Sequence, residues 1–200
     1  MTARPSLLVG PDSVARCAWT GTDAEYQRYH DEEWGTPLLG DRAVFEKISL
    51  EGFQAGLSWI TILRKRPAFR AAFDGFEPET VAAYGGDDVA RLMADAGIVR
   101  NRAKVEATIG NARALLELQD GGATLDELVW TEGRHPPRPR PRRIADIPAA
   151  TPEATALSKR LKGLGFKFVG PTIVYAFLQS AGIVDDHLVG CFRADAQAKR

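Results

Sequence analysis

Five of the 200 residues are Cys or His, and four of them form two groups near opposite ends of the chain. Cys17 and His30 lie near the start; His187 and Cys191, four apart, lie near the finish. A His and a Cys at that spacing share one face of a helical turn and reach a single ion together. Two Cys and two His complete a tetrahedral set, which suits a closed structural zinc rather than a catalytic one with an open water position. Closing a loop of roughly 160 residues in this way is worth about 4–5 kcal/mol by chain-entropy arguments. A Cys17–Cys191 disulfide, disfavoured in a reducing compartment, is a second reading of the same residues. Unrelated buried thiols beside surface histidines are a third. His135, inside a Pro-Arg stretch, reads as solvated. His30-Asp31-Glu32 matches the H-x-E of zinc nucleobase deaminases, but the P-C-x-x-C those enzymes need is missing.

A second group could act on a nucleobase. Glu51 precedes a Gly-loosened segment, Gly52-Phe53-Gln54-Ala55-Gly56-Leu57-Ser58, that leads to Trp59. Trp19, Tyr26, Tyr29 and Trp34 crowd one short stretch near the start. A base drawn out of a duplex needs aromatic faces, each worth roughly 1–3 kcal/mol, and polar groups that read its edge. Glu51 suits the acceptor role and Tyr29 either role, although any single Trp or Tyr is more often core. A third group could hold phosphate. Gly163-Leu164-Gly165 makes a tight turn between two helical stretches, with Lys159, Arg160, Lys162 and Lys167 around it. Glycines there free the backbone to present successive N–H groups, and Pro171 opens the next helix. The arrangement is similar to a helix-hairpin-helix, and an ordinary helical corner with surface lysines is the competing reading.

The elements that must position these groups read as helices. Asp41 caps a stretch with Val44, Phe45, Ile48 and Leu50 on its apolar face, interrupted at Gly52 and Gly56. Leu57–Lys65, Pro67–Phe73, Glu79–Tyr84, Asp87–Ala96, Arg102–Gln119, Thr124–Val129, Pro152–Leu161 and Pro171–Ala181 follow. Alternating strand patterns are nearly absent, so the expected class is all-α, without a linker dividing it. The chain has 26 Lys+Arg and 26 Asp+Glu, for zero formal net charge. That balance conceals three acid-free basic segments, Arg64–Arg70, Arg134–Arg143 and Lys159–Lys167, which carry 13 of the 26 positive charges. They are candidate phosphate contacts or three solvated surfaces. No apolar run approaches a membrane span or a secretory signal, so a soluble cytoplasmic protein is expected.

The chain also resembles the DNA-3-methyladenine glycosylase I family. The residues that carry the resemblance are Cys17-Ala18-Trp19, Tyr29-His30-Asp31-Glu32-Glu33-Trp34-Gly35, Leu50 to Trp59, Asp95-Ala96-Gly97-Ile98, Gly165-Phe166-Lys167-Phe168-Val169-Gly170 and His187-Leu188-Val189-Gly190-Cys191. The resemblance implies an all-α helix-hairpin-helix DNA glycosylase fold with one structural zinc joining the N- and C-terminal regions. It places Cys17, His30, His187 and Cys191 at the family's ligand positions and Glu51 at its base-contacting carboxylate. Trp59, Tyr29, Trp19 and Tyr26 match the aromatic pocket, and Leu57 matches an apolar wedge. With it come Gly163, Gly165, Lys162 and Lys167 as DNA-backbone contacts. The expected activity is excision of 3-methyladenine from double-stranded DNA by a monomer, leaving an abasic site. A non-catalytic DNA-binding module and a glycosylase for another alkylated purine are the alternatives. The expected organisation is an N-terminal extension over 1–14, one helical domain over 15–192 and a tail over 193–200. Three features depart from the family pattern: about sixteen residues before Cys17, the Pro-Arg run Arg134–Arg143, and Asp185 where Asn is expected.

Overall fold

The computed structural model describes residues 6–136 and 138–197. Helices dominate: α1 (Ala24–Glu32), α2 (Asp41–Gln54), α3 (Trp59–Ala72), α4 (Pro78–Ala82), α5 (Gly86–Ala94), α6 (Arg102–Asp120), α7 (Leu125–Glu132), α8 (Pro152–Gly163), α9 (Pro171–Ser180) and α10 (Phe192–Gln197). The sheet among the described residues is one antiparallel hairpin, β1 (Leu7–Val9) with β2 (Ala15–Cys17), in which Leu7 faces Cys17. Leu7–Val9, within the stretch expected as an N-terminal extension, therefore pair with the strand that ends at Cys17. The first five residues of that extension, and the last three of the expected tail, lie outside the described residues. None of the described helices is long and apolar enough to cross a membrane.

Within the stretch expected as one domain, the described residues pack as two compact units. The smaller draws on the chain up to Pro37, on His135–Ala149 and on the chain from Leu178 onward. The larger holds Leu38–Arg134 and Ala150–Phe177.

The larger unit is built around α6, which runs against α2, α4, α5 and α7. Asn101 caps α6 by accepting from the Lys104 N–H at 3.2 Å, and Val105, Ala112 and Leu115 are fully buried on its apolar face. Phe45, Phe53, Phe69, Phe73 and Phe76 form an aromatic core with ring centroids 4.6–6.3 Å apart along the cluster. Two expected breaks do not occur. Gly52 stays inside α2, where its missing side chain admits Phe168: a Cβ there would lie 3.4 Å from that residue's Cβ. Pro67 sits inside α3, so Leu57–Lys65 and Pro67–Phe73 merge into one helix starting at Trp59. The missing N–H costs that helix one bond, while Phe69 and Ala72 beyond it stay buried. In the smaller unit the core comprises Cys17, Leu188, Cys191 and Ala194, with Leu7, Trp19 and Ile147 packed against it.

Candidate functional site

The smaller unit gathers Cys17 from the end of β2, His30 from the last turn of α1, and His187 and Cys191 from the segment before α10. All four are fully buried. Their ligand atoms lie within 4.8 Å of one another. Cys191 Sγ is 3.5 Å from His30 Nε2 and 3.7 Å from His187 Nδ1, and Cys17 Sγ is 3.9 Å from His187 Nδ1. A tetrahedral ion bonded at about 2.3 Å to sulfur and about 2.0 Å to nitrogen sets its S···N edges near 3.6 Å, so the donors fit one ion with small adjustments. Neither cysteine forms a disulfide. The hydrogen bond between the two thiols, helped by His187 and His30, holds Cys191 far below the ordinary thiol value. The same bond, with burial, pushes Cys17 up.

The surrounding groups orient the ligands. Asp31 Oδ1 is 2.8 Å from His30 Nδ1, which leaves Nε2 facing the other three ligands. The Arg16 guanidinium holds that carboxylate, its Nε 2.8 Å from Oδ2. His187 Nε2 lies 3.3 Å from the Trp34 carbonyl, leaving Nδ1 for the ion, and the Leu188 N–H donates to Cys17 Sγ at 3.4 Å. Asp31 and Arg16 escaped the sequence reading. Their signal was an acid directly after one ligand and a base directly before another.

The Pro-Arg run takes a place that its composition did not disclose. Arg138 pairs with the buried Asp186, and Arg140 pairs with Asp185 at 2.5 Å while donating to the His187 carbonyl at 3.1 Å. The Val189 N–H donates to the Pro141 carbonyl at 2.9 Å, and Arg143 pairs with Asp146. The run straps the segment that carries His187 and Cys191. Two departures from the family pattern, the basic run and Asp185, thus meet in one ion pair. Three of the arginines expected as phosphate contacts already face carboxylates.

Three of the expected pocket aromatics also belong to this unit. The Trp19 and Tyr26 rings meet edge-on at 4.9 Å, and Tyr26 stacks on Tyr29 at 6.5 Å. Trp19 also meets the His30 ring at 5.3 Å and Trp34 at 5.2 Å. Tyr29 is buried, while Trp19 and Tyr26 keep partial exposure. Because Tyr29 directly precedes His30 on α1, holding the histidine also fixes the tyrosine's helix.

The remaining expected site residues lie in the larger unit. Glu51 sits on the last turn of α2 and is 3% exposed. The turn that follows reverses at Gly56, whose φ of +86° favours glycine, and leaves Leu57 44% exposed. Trp59 opens α3 with its ring covered by Lys47, whose Nζ is 4.9 Å from the centroid. At the end of α8 the N–H groups of Leu164, Gly165 and Phe166 bond back to Arg160, Lys162 and Leu161 carbonyls, and Gly165 adopts φ +94°. Lys162, Gly163, Gly165 and Lys167 are all exposed there.

The sequence pattern of the methyladenine glycosylase family matches residues 19–194. The DNA-3-methyladenine glycosylase 1 of Escherichia coli K12 is 50% identical over 179 residues, covering 89% of this chain and 96% of that protein. A crystal structure of a 3-methyladenine DNA glycosylase I superposes with a TM-score of 0.85 at 47% identity, covering 88% of this chain and 98% of that one. A variant of a 3-methyladenine DNA glycosylase I in complex with 3-methyladenine superposes at 0.83 with 39% identity, covering 88% and 96%. The chain belongs to the methyladenine glycosylase family.

Proposed function

We propose that this protein is a DNA repair N-glycosylase that hydrolyses the bond between 3-methyladenine and its deoxyribose, leaving an abasic site. What carries the reading is the match over 89% of the chain to a glycosylase named for that base, together with a relative described in complex with it. Methylation at N3 makes the adenine cationic, so it departs as a neutral purine without a strong general acid. A single carboxylate then suffices where sugar hydrolases use two. Glu51 takes that role: buried at the end of α2, it accepts hydrogen bonds from the flipped base and favours positive charge developing on the sugar. Tyr29 reads the base edge, and Trp59, Trp19 and Tyr26 supply aromatic faces. Exposed on its turn, Leu57 fills the stack that the base leaves.

The substrate in this reading is double-stranded DNA, engaged by a monomer. The turn between α8 and α9 acts as a helix-hairpin-helix, with Gly163 and Gly165 admitting a phosphate and Lys162 and Lys167 adding charge. The ion held by Cys17, His30, His187 and Cys191 is zinc. Four protein ligands leave no open position, so it supplies architecture rather than chemistry. A reducing cytoplasm, where both thiols stay available, suits the site. The test is release of free bases from methylated duplex DNA, identified by chromatography under single-turnover conditions. Wild-type protein releases 3-methyladenine, and a folded Glu51→Gln variant is expected to lose at least about 100-fold in rate, as a lost charge-stabilising group does. Near-wild-type excision by that variant would refute the role of Glu51. Absence of any released base would point to a binding module, and release of other adducts to a shifted specificity.

A further inference from the structure

The buried face of α6 carries three polar residues that none of the sequence motifs includes; Thr108 bonds within the helix to the Lys104 carbonyl, while two reach other segments, Lys104 and Asn111. They are seven residues apart, two helical turns, and about 10 Å along the axis. Lys104 is 8% exposed, and its Nζ donates to the Phe53 carbonyl at 2.9 Å and the Ala55 carbonyl at 2.7 Å. These are orphan carbonyls at the C-terminal end of α2, where a cation is favoured by the helix dipole. The lysine therefore holds the chain where it leaves α2, just before the turn that presents Leu57. Asn111, 4% exposed, donates to the Lys167 carbonyl at 3.0 Å and accepts from the Lys167 N–H at 2.7 Å. It holds the segment after Gly165 by both backbone groups of one residue. Between these grips, Gly52 of α2 lies against Phe168, which sits at φ +54°. Lys104, Asn111, Gly52 and Phe168 also line one small cavity of about 10 Å³. Burial lowers the pKa of Lys104.

We propose that Lys104 and Asn111 are positioning residues that use α6 as a rigid spacer, setting the Leu57 turn at a fixed distance from the phosphate-gripping turn after α8. The inference rests on the reading that these two turns engage the emptied stack and the DNA backbone. The spacing matters because a wedge can enter only where the grip on the backbone puts the damaged step. Lys104 then governs excision, and Asn111 governs attachment.

The test uses the full-length, zinc-loaded enzyme. Single-turnover excision from methylated duplex DNA is measured at saturating enzyme, and Kd for an undamaged duplex is measured by fluorescence anisotropy. Lys104→Met is expected to slow excision about 10-fold with Kd within about twofold, a split between chemistry and binding. Asn111→Asp, which keeps the bond from the Lys167 N–H but sets a carboxylate against the carbonyl, is expected to raise Kd about fivefold with the saturated rate within about twofold. In a Leu57→Ala background, Lys104→Met should cost no more than about twofold, because residues acting through one turn are not additive. Should Lys104→Met fail to fold, Lys104→Gln, which keeps one donor, is expected to show the same split at about threefold. Full multiplication of the Lys104 and Leu57 effects overturns the proposal alone, as do parallel changes in the same parameter by both variants, or wild-type values for both. Wild-type excision by Leu57→Ala overturns the underlying reading of the turn, and the proposal with it.

Discussion

Removing the ion from the Cys17, His30, His187 and Cys191 cluster should loosen one unit of the protein and spare the other. The magnitude follows from the chain lengths that the cluster closes. Cys191 meets His30 across 161 residues, and Cys17 meets His187 across 170. A cross-link over loops of that size removes about 5 kcal/mol of chain entropy from the open state. This is a ceiling, because other contacts span the same gap: Arg193 donates to Thr36 Oγ1 at 3.0 Å, and the Gly35 N–H reaches the Ser180 carbonyl at 3.4 Å. Five kcal/mol corresponds to at most about 5,000-fold in an opening equilibrium, and hydrogen exchange reads that ratio amide by amide. After chelation, amides around Tyr29–Trp34 and Leu188–Ala194 should exchange about 10²- to 10³-fold faster, and re-addition of one equivalent of zinc should restore them. Amides on α6, in the larger unit, should change less than about threefold. Unaltered protection around His30 in the chelated protein would refute the reasoning. So would equal loss on α6, which would mean that the ion supports both units together.

Arg140→Ala should cost about 1 kcal/mol through loss of its pairing with Asp185 and the His187 carbonyl, with most of that loss absent in an Asp185→Asn background; chemical denaturation of the four proteins of the cycle checks it. The same substitution should leave the salt dependence of DNA binding unaltered, whereas a phosphate-contacting arginine would lower the log–log slope by about 0.9. Gly182→Ala should destabilise by about 3 kcal/mol or more in a denaturant melt, since Gly182 has φ +74° and a Cβ there would sit 2.7 Å from the Gly35 carbonyl oxygen. Tyr84 is buried and donates to Asp74 Oδ2 at 2.6 Å; burial first, then that carboxylate, push its ionisation up to about 12. Its contribution to stability should be whole below about pH 10 and fade as the pH rises through 12; Tyr84→Phe, followed by ultraviolet absorbance, should remove a phenolate step near pH 12.

The clustering of Cys17, His30, His187 and Cys191 was the most legible part of the chain, because Cys and His are scarce and a Cys2His2 set is chemically complete. The helices were legible too, from apolar periodicity, but their breaks were not. Gly52 and Pro67 punctuate helices in isolation, and only tertiary packing says otherwise: Phe168 packs against Gly52, and the buried Phe69 and Ala72 hold α3 together past Pro67. The Pro-Arg run misled in a different way. Charge in sequence is read locally, whereas Asp185 and Asp186 stand some 45 residues beyond Arg138 and Arg140. Lys104 and Asn111 left a faint mark, two polar side chains at i and i+7 on a mostly apolar helix face. Such a mark signals that something polar must lie opposite, and it cannot say that the partners are backbone groups of two separate turns.

The smaller unit draws on three separated stretches of chain, and this sets an order of events on the ribosome. Cys17 and His30 emerge early, then wait while nearly the whole of the other unit is translated. At about 5–20 residues per second the interval before Cys191 is made lasts about 8–30 s. For that time the first thiol is exposed to oxidants and to competing ions, without the partner that later encloses it. Assembly of the four-residue cluster is therefore among the last acts of biogenesis, and a chain terminated before Cys191 carries an incomplete set however well its central helices have formed.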